Sequence, residues 1–296
     1  MGEKRVDLVI GYLGTRFNGA QIQPEVRTVQ GILGQVFKEL KWSKDSAKPP
    51  PLCSRTDAGV HAAMNIFRTS VPTGLIENKG LRGIIGILRT WLEDDLFPLK
   101  VVEADDTSVR WALNRTYRYV LHGIEGWDSP APSDLELDLE MFLGTRDWNA
   151  FRRFDPDADP FRTIEAFQPL IDNSGRMIGF EIKAPSFLRS MVRRIGGALI
   201  DHRSGRVSTD QVAAALAGDR SAGFRTAPAS RLILWHIERA NLNPPSAEAS
   251  DSWLPGLPDS SALGAQMEIE ARIEQAVIAE ARRISTDLES TNYDAD

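Results

Sequence analysis

Residues 6–13 alternate in a run rich in Val, Ile and Leu, and Gly14 stops the run, so this segment reads as a strand. Further on, Val29, Ile32, Leu33, Val36, Phe37 and Leu40 recur at three- and four-residue spacing, with Thr28 placed to cap the first turn. That stripe must face a core, so the strand and the helix belong to one packed unit. The same alternation continues after the proline-rich stretch 48–52 and a polar loop at 54–62. A strand is predicted near 65–71, a helix near 81–92 and a strand near 99–103.

A second unit follows in the same style. Strands are predicted near 116–123, 162–171 and 177–184, a helix over 187–202, and a closing strand over 232–238. Ser208 and Gln211 have the spacing of a capping box and mark the start of another helix. Short connections, such as the turn at 173–175, favour antiparallel pairing. The chain therefore reads as α+β, with residues 1–106 and 107–241 as two domains and no internal repeat visible in the sequence. From Leu242 the composition shifts to Pro, Ser, Asp and Gly, an acidic linker leading to an amphipathic helix over 266–284 and a tail, 285–296, expected to be disordered.

Charge is unevenly distributed. The whole chain carries a formal −6, but residues 241–296 hold 11 acidic side chains against 3 arginines, which leaves a net +2 on the rest. Arginines bunch at Arg110, Arg115 and Arg118, at Arg152 and Arg153, and at Arg189, Arg193 and Arg194. Such clusters suit phosphate contacts, although the same pattern arises from solvated charge. One cysteine, Cys53, excludes an internal disulfide, and four scattered histidines offer no metal-ligand spacing. The first residues, MGEKRVDLVIGYLG, lack a signal-peptide core, and no apolar run reaches the roughly 18 residues needed to cross a bilayer. A soluble protein of the reducing cytoplasm, free of metal and membrane, is the expectation.

The densest polar segment is CSRTDAGVHAA, residues 53–63. In isolation, Asp57-Ala58-Gly59 is a turn, since Asp accepts local backbone hydrogen bonds and Gly permits positive φ. The run SRTDAGVHA, however, closely resembles the signature GRTDAGVHA of the TruA-type tRNA pseudouridine synthases. Further segments match that family in order: GTRFNGAQIQ at 14–23, RTVQGIL at 27–33, RTYRYVL at 115–121, FRTI at 161–164, FLRSMVRRIGGAL at 187–199 and TAPASRLIL at 226–234. One short motif arises by chance; an ordered series over about residues 6–238 does not.

The resemblance implies two similar domains, each a mainly antiparallel sheet with helices on one face, with an active cleft between them. It implies isomerisation of uridine in tRNA, in the anticodon stem-loop at positions 38 to 40, by a homodimer that needs no cofactor. Asp57 is then the carboxylate that acts at the ribose anomeric carbon, as nucleophile or as a base promoting elimination to a glycal. Arg193 matches the family arginine that keeps this carboxylate ionised; without that match, a helix arginine there reads rather as a phosphate-contacting or solvated residue. Tyr117 matches the active-site tyrosine, with Tyr119 on the same strand face as a competitor. Arg55 resembles the arginine that contacts the flipped nucleotide. Phe187 and Met191, read as one helical turn apart, are expected beneath the pocket, where simple core packing would look the same. His61 is expected to secure the loop, and Cys53 to be a small buried filler.

Four departures from the family pattern bear on RNA contacts more than on chemistry. Ala20 replaces a bulky aromatic, Ser54 replaces a glycine, Val109 and Arg110 match only part of an HAR segment, and Arg231 replaces the glycine of APAxGL. Ala20 and Arg231 also motivate one alternative, a catalytically silent RNA-binding or folding protein on the same scaffold; a pseudouridine synthase for another structured RNA is a further alternative.

Overall fold

The computed structural model describes residues 2–42, 49–135, 139–240, 242, 254, 257–258 and 264–290. It is an α+β structure that separates into two compact units. The first takes residues 1–113, 234–251 and 274–296, and the second takes 114–233 and 252–273.

In the first unit β1 (Glu3–Tyr12) runs antiparallel to both β2 (His61–Pro72) and β3 (Leu96–Glu103), giving the order β3-β1-β2, with β9 (Leu232–Glu238) beyond β2. α1 (Val29–Glu39) buries Val29, Leu33, Val36 and Phe37, as its stripe predicts, and Thr28 Oγ1 accepts from Gly31 N at 3.2 Å. α2 (Thr73–Trp91) starts earlier than the periodicity suggested, because two helical stretches meet across Gly80, whose φ of 62° breaks the regular helix. Asp7, fully buried on β1, is held by the Arg68 guanidinium at 2.7 and 2.9 Å, so a charged residue sits inside the sheet in a paired state.

In the second unit β4 (Asn114–Val120), β7 (Ala166–Ile171) and β8 (Met177–Ala184) pair antiparallel in the order β4-β8-β7. The turn at 173–175 closes β7 onto β8, with Gly175 at φ 81° and Asp172 Oδ1 accepting from Ser174 N and Arg176 N. The single strand expected over 162–171 is in fact two. β6 (Phe161–Ile164) pairs with β5 (Gly144–Asp147) in a separate two-stranded sheet, whereas β7 joins β8. The change of partner happens at Glu165, whose N–H goes to Lys183 O.

α3 (Met191–Arg203) also begins later than expected. Ser190 adopts a left-handed φ of 59°, and the carbonyl of Arg189 accepts from Arg153 N, outside the helix. α4 (Thr209–Leu216) carries the predicted capping box, with both the Ser208 and the Gln211 bonds formed. Aromatic packing fills this unit: Phe142, Phe167 and Phe180 meet edge to face, and Phe151 stacks on Phe224 at 4.7 Å.

α5 (Ala265–Ser290) supplies residues to both units. It takes in the first residues of the stretch expected to be disordered, since its buried stripe, Ile269, Ile273, Val277, Ala281 and Ile284, carries the helix to that point. Ser285 Oγ then donates to Leu99 O. The expected disorder at 291–296 and most of the linker from 243 to 263 lie outside the described residues. Among the described residues no helix is long and apolar enough to cross a membrane.

Candidate active site

The loop that carries Asp57 is pinned to β2 at its start and closed by a turn where it runs into that strand. Cys53, which is buried, donates its N–H to Ile66 O at 2.8 Å, and Val60 N closes a turn on Asp57 O at 3.1 Å. Asp57 itself is half-buried and Arg55 is exposed, while Thr56 between them is buried. What holds Thr56 is a polar cluster drawn from three segments. Tyr12 Oη on β1 lies 2.8 Å from Thr56 Oγ1, and Asn65 on β2 donates through Nδ2 to Tyr12 Oη at 3.1 Å and to Ser54 O at 2.8 Å. Asn65 Oδ1 in turn accepts from Ser54 N and from Ile66 N. Buried polar groups this well matched fix a loop to one conformation.

A second clamp comes from the first loop of the chain. Ala20 N donates to Thr56 O at 3.1 Å, and Gly19, at φ 95°, allows this approach, because a Cβ there would stand 3.0 Å from the same carbonyl. Ala20 is completely buried. Ser54 does not occupy a positive-φ conformation, so its side chain is tolerated without backbone strain. His61 is buried and its Nδ1 accepts from Gly14 N at 3.2 Å, tying this loop to the end of β1.

In the second unit, the structure brings Tyr117 and Phe187 together edge to face, with centroids 5.2 Å apart. Phe187 precedes α3 and Met191 opens it, so the two are not one helical turn apart as the sequence suggested. Met191 is buried, whereas Phe187 is half-buried. Of the two competing tyrosines, Tyr119 is fully buried against Phe180, and its hydroxyl donates to Pro228 O at 2.7 Å. Burial pushes its pKa up, only partly offset by the nearby Arg193 charge and its hydrogen bond. Tyr119 is therefore committed to the core.

Arg193, in the first turn of α3, is bonded to the segment that leads into β9. Its Nε donates to Ala227 O at 2.9 Å, and its own carbonyl accepts from Ala227 N at 3.1 Å. Gly197 permits this approach, since a Cβ there would collide with Arg225 O, and Gly196 lets α3 lie against β4, where a Cβ would meet Tyr119 Cε1 at 2.6 Å.

The arginine clusters divide by burial. Arg118 is paired across the ladder with Glu181 at 2.7 Å, Arg115 donates to Pro185 O, and Arg152 is bonded to Asn149 Oδ1 and Ala158 O. These three hold the fold. Arg110, Arg153 and Arg189 are exposed. Tyr12, Thr56 and Asn65 were not singled out from sequence. Tyr12 sits in an ordinary strand pattern, and its partners are 44 and 53 residues away.

A family model described as tRNA pseudouridine synthase matches residues 139–238. Among curated proteins, the chain is 34% identical over 239 residues to a tRNA pseudouridine synthase A of Thermococcus kodakarensis, covering 79% of this chain and 84% of that protein. It is 32% identical over 241 residues to the Pyrococcus furiosus tRNA pseudouridine synthase A, with 80% and 85% covered. With the Thermotoga neapolitana protein of the same name it shares 30% over 253 residues, covering 79% of this chain and 99% of that one.

Proposed function

The chain belongs to the tRNA pseudouridine synthase A family, and from that premise we propose that it isomerises uridine to pseudouridine in the anticodon stem-loop of tRNA, at positions 38 to 40, with Asp57 as the reacting carboxylate. In this reaction the bond from uracil N1 to the ribose C1′ breaks, the base turns, and C5 bonds to C1′. The C5 proton is lost and N1 gains one, so nothing is consumed and the change is an isomerisation. While the base is detached, Asp57 is either bonded to C1′ or acts as the base that takes the C2′ proton to give a glycal and returns it when C5 bonds to C1′.

One observation carries the reading: a half-buried carboxylate on a loop whose neighbouring residue is fixed by the buried Tyr12, Thr56 and Asn65 contacts. Such rigidity suits a group that must meet one carbon atom of a bulky substrate. On this reading Arg193 is the cation that pairs with Asp57, Tyr117 stacks on the uracil with Phe187 behind it, Met191 packs beneath, and Arg55 contacts the flipped nucleotide. Two similar domains with the active cleft between them, a homodimeric assembly and a cytoplasmic location belong to the same proposal and rest on the family resemblance.

The test is conversion of uridine in a tRNA anticodon arm by purified protein, read by mass spectrometry. Asp57→Asn is expected to abolish the product while the circular dichroism spectrum and thermal midpoint stay near those of the parent. Undiminished conversion by Asp57→Asn would remove the carboxylate from its role. Site mapping in cells lacking the gene tests positions 38 to 40, and light scattering tests the dimer.

A further inference from the structure

Arg231, which stands where the family pattern has glycine, is 1% exposed and ranks among the largest fully buried side chains of the described residues. A guanidinium removed from water is tolerated only when its donors are satisfied. Its Nη1 donates to His122 O at 3.3 Å, its Nη2 donates to Gln266 Oε1, and its Nε lies 3.8 Å from Glu270 Oε1. Gln266 passes the interaction on by donating to Gly123 O, and Ser230 Oγ donates to Glu270 Oε1 at 3.0 Å. Gln266 and Glu270 are one turn apart on α5, so a single helix face grips two successive residues of the turn Ala229–Arg231.

The residues just before that turn hold two side chains already described. Ala227 O takes Arg193 Nε and Pro228 O takes the Tyr119 hydroxyl. Hydrogen bonds from the start of α5 to Ser230 and Arg231 are thus joined, through the covalent backbone of residues 227–231, to the carbonyl that aims Arg193. Backbone carbonyls in an irregular segment have no ladder to fix them, so their direction is set by what pins the segment on either side.

We propose that Arg231, held by Gln266 and Glu270 of α5, is a positioning residue for the isomerisation: it fixes the 227–231 backbone and through it the Arg193 guanidinium. The C-terminal helix is then part of the catalytic support, and the residue that departs from the family pattern is its anchor. This inference rests on the reading of Arg193 as the cation of Asp57.

The experiment uses the full-length chain and an anticodon-arm tRNA, and measures the single-turnover rate, tRNA affinity and thermal midpoint of Arg231→Gly, Arg231→Lys, Gln266→Ala and the double variant. Loss of positioning is expected to slow Arg231→Gly and Gln266→Ala by about tenfold at unchanged tRNA affinity. Arg231→Lys should recover part of the rate, and the double variant should be no slower than Arg231→Gly, because both changes act on one unit. Parent rates in both single variants, or a loss that follows affinity alone, overturn the proposal. If Arg231→Gly does not fold, Gln266→Ala decides, since its side chain lies on an exposed helix position. Arg193→Gln separates the two layers: full activity there removes the reading beneath, whereas an inactive Arg193→Gln beside parent rates for Arg231→Gly and Gln266→Ala removes this inference alone.

Discussion

Tyr12 Oη makes contacts with two other segments, Thr56 Oγ1 and Asn65 Nδ2, and all three residues are buried. Removing the hydroxyl leaves two polar groups with one partner fewer where water does not readily substitute. Tyr12→Phe is therefore expected to lower stability by about 1–3 kcal/mol in urea denaturation. Because Thr56 adjoins Asp57, the same change is expected to slow single-turnover conversion while tRNA affinity stays at the parent value. A variant as stable and as fast as the parent would show that the cluster neither stabilises nor positions the loop. Asn65 illustrates why composition alone says little at this scale. An Asn inside a strand is an unfavourable residue until its amide is seen to bind Ser54 N and Ser54 O together.

Among the elements, α5 has the clearest electrostatic signature. Glu280 is buried, which alone would raise its pKa, but hydrogen bonds from Arg283 and His236 outweigh burial and hold it at about 2. The folded value lies below the ordinary 4.5, so the carboxylate's contribution to stability is complete above pH 4.5 and is lost as the pH falls toward about 2. In Glu280→Gln that dependence is absent. The stability lost between pH 4.5 and about 2, followed by urea titration at each pH, is expected to be smaller in the variant than in the parent. Equal losses would show that Glu280 does not couple α5 to acid unfolding. At the other end of the chain, Thr28→Ala removes the bond to Gly31 N and is expected to cost about 1 kcal/mol, measured in the same way.

On the scale of the molecule, the extension beyond residue 241 is acidic in composition yet contributes to the core. Ile269, Ile273, Val277 and Ile284 are completely buried, and burial of such a side chain is worth about 1.5–3 kcal/mol. Deleting residues 242–296 changes the net charge from −6 to +2 and uncovers the surface these side chains occupy. The thermal midpoint is expected to fall, at roughly 2–4 °C per kcal/mol for a chain of this size. A midpoint equal to that of the parent would mean that the helix adds nothing to either unit.

What could be read directly from the sequence was whatever depends on near neighbours. The stripe from Val29 to Phe37, the Thr28 cap, the Ser208 and Gln211 capping box and the 173–175 turn each involve residues within a turn or two of one another, and each is present. The ordered motifs identified the family for a related reason, since a chemical signature is linear even where its role is not. Tertiary structure decided the rest. Residues 161–171 form two strands because their partners differ, Gly144–Asp147 for one and Met177–Ala184 for the other. α3 starts at Met191 because Ser190 turns left-handed and Arg153, far back in the chain, takes the carbonyl of Arg189. Arg115 and Arg118 look like surface charge in one dimension and are internal in three. The loop of Asp57 could be found by its letters, but what fixes it, Tyr12 and Asn65, had no local signal. A hydrogen bond is a short-range interaction in space, and nothing in a linear pattern tells which distant residues folding brings within 3 Å.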